Sequence, residues 1–430
     1  MPYTSPRLQL LRTCIALALV GGAPAALAAP VAAVHEAAQA QQQGMLDTMR
    51  DLVGIESGSK DVEGVERIAL LIRDRLKALG GTVEIIQSTD VFRLDDTPEK
   101  VGPMVHAEFK GKGQKKIMLI AHMDTVYRNG MLKDQPFRID GDKAYGLGIA
   151  DDKHGVAAII HTLTLLQKLG FEDYGTITVL INGDEEISSP GARSTITRLG
   201  ADQDAVFSFE GGGAQARLTL ATSGIGAAYL TVQGKTSHAG ARPEGGVNAL
   251  YELAHQVLQL DKLSKPEEGL KLNWTVAQAG TNRNVIPGQA TAQADARALR
   301  VSDFDALSRT LEERIQKKLL PESKVSVKFE VRRPPLEATP ASRALAQHGV
   351  QIYKELDLPM TVVDRASGGG TDAAFAALKA RGPVIEGMGL SGFGAHSNDA
   401  EYIQINSIVP RLYLAARMIM DVSQDKAPMK

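Results

Sequence analysis

Ile117-Met118-Leu119-Ile120-Ala121 runs straight into His122-Met123-Asp124, and this join of an apolar run to polar, metal-capable side chains decides how the rest of the chain reads. Two more joins repeat it. Thr176-Ile177-Thr178-Val179-Leu180-Ile181 leads into Asp184-Glu185-Glu186, and Ala205-Val206-Phe207-Ser208-Phe209 delivers Glu210. Short, β-rich apolar runs read as strands buried in an α/β sheet, and such sheets hold ligands beyond the carboxyl ends of their strands. Together with Asp151 and His396, these joins supply five side chains that zinc accepts as donors: His122, Asp151, Glu186, Glu210 and His396.

Around these strands the chain alternates. A periodic segment over 65–79 stops at Gly80-Gly81 as a helix ending on glycine does, and a long helix is predicted from about Lys153 to Leu169, closed by Gly170. Strand and helix in alternation predict an α/β domain. Near Ser223-Gly224 the pattern changes to strand (226–233), helix (247–260), strand (270–278), strand (289–297), helix (303–317) and strand (324–331). That order predicts a ferredoxin-like α+β unit. It lies between Glu210 and His396, so it is an insertion whose two ends must be close together. After Pro334-Pro335 the α/β pattern resumes, with a strand near Val384-Ile385 and a final helix over 407–422. The expected division is a catalytic domain over 45–222 and 335–424, interrupted by the insertion at 223–334. Val31 to Gln43 is Ala/Gln-rich and fits either a loose leader or the start of a helix.

A length of 430 residues exceeds one typical core, in keeping with two domains. A hydrophobic content of 43% with 23% charged residues places the chain among soluble globular proteins, and a formal charge of -2 gives no drive toward nucleic acid or an anionic membrane. Residues 1–28 differ. Arg7 and Arg12 precede the apolar run from Cys14 to Val20, and Ala26-Leu27-Ala28 makes a small-x-small exit, the form of a secretory signal peptide. The run is too short for a membrane anchor and is broken by Gly21, Gly22 and Pro24. Cys14, the single cysteine, precedes the apolar core rather than following it, which argues against lipoprotein attachment. Signal removal leaves no thiol for disulfide, nucleophile or ligand. Export to the periplasm, with no membrane association after signal removal, is the expectation.

Each chemical motif has a functional and a structural reading. His122 and Asp124 sit two apart on an extended chain and share a side, so the carboxylate is placed to hold the imidazole and fix which nitrogen faces a metal. A strand-end histidine with a capping aspartate fits the same spacing. Asp151-Asp152 open a helix and fit an N-cap pair, while an aspartate that bridges two metals uses both its oxygens and leaves its neighbour a separate job. Asp184-Glu185-Glu186 is the sharpest signal, because three adjacent acids after a buried strand repel one another. One of them is free to bind metal while its neighbour accepts a proton from water the metal polarises. A solvated acidic loop is the alternative. His396 lies on the glycine-rich Gly392-Phe393-Gly394-Ala395 loop, and Gly368-Gly369-Gly370-Thr371-Asp372 opens another helix whose N–H groups face a prospective anion. In the insertion, His238 in Lys235-Thr236-Ser237-His238-Ala239-Gly240 is joined by Asn284 and Arg297, three polar groups suited to an oxyanion and a carboxylate, unless His238 is an ordinary loop histidine.

Ala121-His122-Met123-Asp124-Thr125, Ala150-Asp151-Asp152-Lys153, Asp184-Glu185-Glu186, Ser208-Phe209-Glu210, Thr236-Ser237-His238-Ala239-Gly240 and the final His396 together resemble the family of zinc metallopeptidases that includes carboxypeptidase G, aminoacylase and succinyl-diaminopimelate desuccinylase. The resemblance spans about Met45 to Val422. Tyr174-Gly175-Thr176-Ile177-Thr178-Val179-Leu180 and Gly368-Gly369-Gly370-Thr371-Asp372-Ala373-Ala374 bring it nearest to the exported glutamate carboxypeptidases of that family. It implies a mixed central sheet and two zinc ions per subunit bridged by Asp151, one completed by His122 and Glu210, the other by Glu186 and His396. It implies Glu185 as general base, with Asp124 and His238 also in the catalytic set. Arg297, Asn284, Arg217, Gly370 and Thr371 become the expected substrate-binding positions. A homodimer through the insertion is implied, with His238 reaching the partner's site, as is a cis peptide between Asp151 and Asp152. Two departures stand out: Gly211-Gly212-Gly213 replaces a stiffer loop, and His154 stands where the family usually has glycine. The metal chemistry is expected to survive both, and the side-chain preference is where they act.

The expected activity is zinc-dependent release of a C-terminal amino acid, glutamate first, from N-acyl or folate-like substrates by metal-activated water. An aminoacylase or dipeptidase on the same scaffold is the enzyme alternative. A non-catalytic zinc-binding protein is disfavoured by an intact Glu185, and a desuccinylase of lysine biosynthesis by the export signal.

Overall fold

The computed structural model describes residues 29–397 and 400–429, so the predicted signal peptide lies outside the described residues. The chain opens with helices α1 (Ala32–Gln39), α2 (Gln42–Val53) and α3 (Val62–Ala78). Strands β1 (Thr82–Ile86), β2 (Met104–Lys110), β3 (Lys116–His122), β4 (Arg138–Asp140) and β5 (Lys143–Tyr145) precede helix α4 (His154–Lys168). Then come β6 (Thr176–Asn182), α5 (Arg193–Gly200), β7 (Ala205–Ser208) and β8 (Arg217–Thr219). The Ala/Gln-rich leader is therefore helical: Val34 and Ala38 of α1 are buried, and the backbone N–H of Val31 donates to the Tyr413 hydroxyl.

Six strands form the main sheet in the order β1-β2-β6-β3-β7, with β14 (Val384–Ile385) at the far edge. β6, β3, β7 and β14 run parallel, while β1 and β2 are antiparallel to their neighbours, so the sheet is mixed. Alternation along β3 sends Ile117, Leu119 and Ala121 into one apolar layer and Met118 and Ile120 into the other. Helices cover both faces, because neither side of such a strand tolerates water. With four strands parallel, the ends that carry His122, Glu186 and Glu210 share one edge, and His122 pairs in register with Asn182.

The insertion is a four-stranded antiparallel sheet with its own apolar core. β9 (Gly224–Gln233), α6 (Ala249–Asp261), β10 (Lys271–Ala279), β11 (Gln289–Ala298), α7 (Val301–Arg314) and β12 (Lys324–Arg333) follow the expected element order, and the sheet order is β10-β11-β9-β12. Ala228, Leu230 and Val232 alternate inward from β9, as do the alanines from Ala290 to Ala298 of β11, against Leu253 of α6 and Phe304 of α7. The long central strands thus bury small residues under the helices, a fit that permits close helix approach. β12 is tied back to the loop before β2, where Arg332 meets Asp96 at 2.7 Å and the N–H of Asp95 donates to Glu330.

After the insertion come α8 (Pro340–Lys354), β13 (Thr361–Val363), α9 (Ala373–Ala377), β14, β15 (Gly392–Phe393), β16 (Tyr402–Gln404) and α10 (Ile408–Ser423). A small sheet in the order β15-β16-β5-β4 joins the stretch around His396 to the one that leads into Asp151. Among the described residues no helix is long and apolar enough to cross a membrane.

Candidate metal centre and substrate cleft

The five side chains singled out as zinc donors converge at the carboxyl edge of the main sheet. His122 Nε2 stands 3.0 Å from Asp151 Oδ1 and 3.3 Å from Glu210 Oε1. On the other side His396 Nε2 stands 3.1 Å from Asp151 Oδ2 and 3.2 Å from Glu186 Oε2. Asp151 thus spends one oxygen on each group, giving His122–Asp151–Glu210 and Asp151–Glu186–His396. The Asp151–Asp152 peptide is cis.

Electrostatics show what this gathering lacks. Burial disfavours charge on His122, yet Glu210, Asp124 and Asp151 outweigh it and hold its pKa well above the ordinary value. Hydrogen bonds that Asp151 and Glu186 accept from its ring push His396 up to about 11. Burial lifts Glu186 to about 7 and raises Glu210, against the pull of the neighbouring histidines. Three carboxylates crowd two imidazoles, and Glu186 Oε1 is buried with no hydrogen-bond partner. Such a set is costly unless cations neutralise it, and oxygen and imidazole donors in two groups that share a carboxylate fit a pair of zinc-like divalent ions.

Several buried groups shape this edge. Asp124, fully buried, accepts from the N–H groups of Glu185 (3.0 Å) and Glu186 (3.1 Å) and from Ser59 Oγ (2.7 Å). Its carboxylate is 3.4 Å from His122 Nδ1, whose nearer contact is the Asp124 carbonyl at 3.1 Å. The H-x-D pair therefore works chiefly by pinning the acidic turn, a task that spacing alone does not reveal. Asp152 is buried too, its Oδ2 accepting from the His122 N–H at 3.4 Å, and no side-chain cap bond is made at the start of α4. A Cβ on Gly155 would lie 2.4 Å from the Asp152 carboxylate, so only glycine lets α4 come this close. Glu185 lies beside the cluster but in neither group of donors; Arg333 holds its Oε1 at 2.8 Å and its carbonyl at 2.8 Å. Burial raises the Glu185 pKa well above its usual range, with Arg333 and His122 pulling the other way.

A cleft of about 630 Å³ runs from the cluster to the insertion, where Arg297, Arg332 and Arg333 line it together with Gly370. Of the other expected substrate-binding positions, Thr371 faces away: it is buried and gives its hydroxyl to Glu386. Arg217 does not line the cleft; its guanidinium lies over Gly213. His238 and Asn284 do not line it either. His238 is on an exposed loop, its Nδ1 accepting from the N–H groups of Gly240 and Ala241, while the Asn284 carbonyl accepts from Ala239. Arg297 is there but already closed on Asp295 through two 2.9 Å bonds and on the Gly368 carbonyl. The two departures from the family are packing features. Arg411 is buried against the Gly212 carbonyl and fills the space a Cβ at Gly212 would take, and His154 is wholly buried, donating from Nδ1 to the Ile149 carbonyl.

Sequence reasoning missed four supporting groups. Arg333 reaches Glu185 and Asp372 from the last residue of β12. Glu386 follows the short strand Val384–Ile385, so the rule that found Glu210 would have found it as well. Glu401 accepts from the N–H groups of Gly148 (3.0 Å) and Ala150 (2.7 Å), just before Asp151. Tyr127 donates its hydroxyl toward Glu401 and stands 3.0 Å from the Ser397 carbonyl, next to His396. Nothing local in the sequence marks Tyr127 and Glu401 as partners, since they lie 274 positions apart and meet only by a side-chain hydrogen bond in the folded chain.

The family described as Peptidase family M20/M25/M40 matches residues 118–421. Carboxypeptidase G2 of Pseudomonas sp. (strain RS-16) is 46% identical over 394 residues, spanning 91% of this chain and 92% of that protein. Among solved structures, aminopeptidase PepT from Bacillus cereus superposes with a TM-score of 0.72 at 20% identity, covering 89% of this chain and 98% of that one. The M20 family metallo-carboxypeptidase Sso-CP2 from Sulfolobus solfataricus gives 0.71 at 15% identity, covering 88% and 99%. These two likenesses speak to the fold.

Proposed function

The chain belongs to peptidase family M20/M25/M40, and from that premise we propose that it releases a C-terminal amino acid, glutamate first, from N-acyl or folate-like substrates. It is a metal-dependent hydrolase of the metallocarboxypeptidase type. The observation that carries the reading is Asp151 shared between two donor groups with Glu185 alongside and outside both. A zinc pair bound there supplies Lewis acidity to the scissile carbonyl and lowers the pKa of attacking water to roughly 7.

The protein's own residues supply the rest. Glu185 accepts the proton of the attacking water and delivers it to the leaving amine nitrogen, a transfer favoured by a carboxyl whose pKa burial has raised. Asp124 holds the Glu185–Glu186 turn by its two N–H groups, so the base and its metal-binding neighbour keep fixed places. Arg297, Arg332 and Arg333 line the half of the cleft that receives the carboxylates of the leaving amino acid, with Arg297 and Arg332 exchanging Asp295 and Asp96 for substrate while Arg333 stays on Glu185. His238 acts across a homodimer formed through the insertion, stabilising the oxyanion in the partner's site. Its exposed position away from this chain's cleft supports that role, as does the outer face of α6, where Tyr251 is 61% and Leu258 71% exposed. Residues 1–28 direct export to the periplasm.

Glutamate release from a panel of N-acyl amino acids and folates by zinc-loaded protein tests the reading. Glutamate should lead the panel and chelation should abolish release; a preference for free dipeptides would transfer the chain to the dipeptidases of the same scaffold.

A further inference from the structure

We propose that a second groove, meeting the arginine-lined cleft at Glu186, receives the acyl half of the substrate and favours acyl groups that end in a negative charge. This rests on the reading above, in which the amide bond lies at the cluster with the leaving amino acid on the arginine side. The groove measures about 560 Å³ and is bounded by Ser59, Lys60, Val126, Arg128, Glu186 and Ile187. Glu186 belongs to the walls of both hollows. A substrate whose leaving half fills the cleft has its acyl half on the other side of the reacting carbon, and the second groove is the hollow that shares the Glu186 wall with the cleft.

The lining gives the chemistry. Val126 is 43% exposed and Ile187 half-buried, so a chain of a few carbons would cover apolar surface. At the rim stand Lys60 and Arg128, both exposed, and among the described residues no carboxylate pairs with either. The cleft differs: there Arg297 is closed on Asp295, Arg332 on Asp96, and Arg333 on Glu185 and Asp372. Both acids of the groove are already used: Glu186 belongs to the donor group with Asp151 and His396, and Asp61 accepts from the Gly64 N–H at the start of α3 with Arg67 3.8 Å away. The uncommitted charge of the groove is therefore positive. A neutral acyl group leaves both cations to water, whereas a dicarboxylic acyl group brings a carboxylate to them. Exposed pairs are weak and screened by salt, so two of them amount to a preference of about tenfold at low ionic strength rather than a requirement.

N-succinyl-L-glutamate and N-butyryl-L-glutamate have acyl chains of the same length and differ in the terminal carboxylate, so they isolate the effect. With the metal-loaded enzyme, kcat/KM for glutamate release should favour the succinyl compound about tenfold at low salt, and the ratio should shrink as salt is added. In Lys60→Gln/Arg128→Gln the ratio should fall to about one, and Lys60→Arg should keep it. A ratio that is the same in the wild type and the double variant, or a wild type that prefers the butyryl compound, overturns the proposal while leaving the carboxypeptidase reading intact. Release of glutamate from folate but from neither compound by the wild type overturns the proposal alone, and release from none of the three overturns both.

Discussion

At the carboxyl edge of the main sheet nearly every polar side chain has a buried partner within the same chain: Asp124 on the Glu185–Glu186 turn, Glu401 before Asp151, Arg333 on Glu185. On the inserted sheet, His238 and Asn284 stand in loops outside the cleft, and Arg297 is closed on a neighbouring aspartate. The first region is built to hold one geometry before anything binds. In the second, groups must change partners or be met by another chain. Preorganisation is concentrated where charge develops during reaction, and adaptability where substrate enters.

The largest effect should come from breaking the first region at its base. Glu185→Gln should lower turnover by about 10²–10⁴-fold and retain both metals, because Glu185 belongs to neither donor group. Glu186→Gln should instead release metal from the His396 side. Metal analysis beside kinetics decides; equal metal loss in the two variants would show that the acidic turn does not divide its labour.

Next in size is the test of the second region. His238→Ala should cut turnover by about 10²–10³-fold with metal content intact, as loss of one oxyanion donor does. Mixing it with Glu185→Gln protein should restore part of the activity after subunit exchange, since one wild-type Glu185 then faces one wild-type His238. No recovery despite demonstrated exchange would place His238 outside the partner's site and remove the idea that the insert is completed by a second chain.

The two regions also differed in how far the sequence foretold them. Strand ends are local: an apolar run fixes both where the strand stops and which edge its last residues occupy, so His122, Glu186 and Glu210 could be read directly and the structure gathers them with Asp151 and His396. The element order of the insert was legible for the same reason. Side-chain direction was not. Thr371 sits beside cleft-lining Gly370 yet turns inward to Glu386, and Arg217 leaves the strand on the side of Gly213. Tyr127 and Glu401 lie 274 positions apart and meet by a side-chain hydrogen bond, Glu401 being brought there just before β16, a three-residue strand too short to announce itself.

Acid should separate the regions at a smaller energy. His161 on α4 is buried between Thr48 and Gln41, and burial, with Arg75 and Lys168 nearby, pushes its pKa down to about 4 from 6.5. The folded form stays neutral while the unfolded chain takes up a proton between pH 6.5 and 4. The contribution is therefore complete above pH 6.5 and lost as pH falls through that window, about 3 kcal/mol in all. Denaturant unfolding of metal-free protein at several pH values, compared with His161→Gln, should show the variant lacking this part of the slope. Parallel slopes would mean that His161 is protonated in the folded state.

The smallest effect distinguishes the two halves of the metal centre itself. His396 is the most exposed of the five donors, with 58% of its side chain accessible against 1% for His122, and it comes from a loop residue with φ of 63° rather than from a strand end. Its neighbour Ser397 is tied to the rest of the site through the Tyr127 hydroxyl. Tyr127→Phe removes that tie, yet Glu401 keeps its bonds to the N–H groups of Gly148 and Ala150, so the approach to Asp151 stays in place. Loss of such an outer partner costs about 10–100-fold in metal affinity, and the low end applies to a group that acts through a neighbouring carbonyl. Competition with a chelator should then show one ion per chain leaving about tenfold more readily while the other is held as in the wild type. Loosening of both ions together would mean that the His122 and His396 halves rise and fall as one unit, and that rigidity in this centre belongs to the whole edge rather than to its strand-borne half.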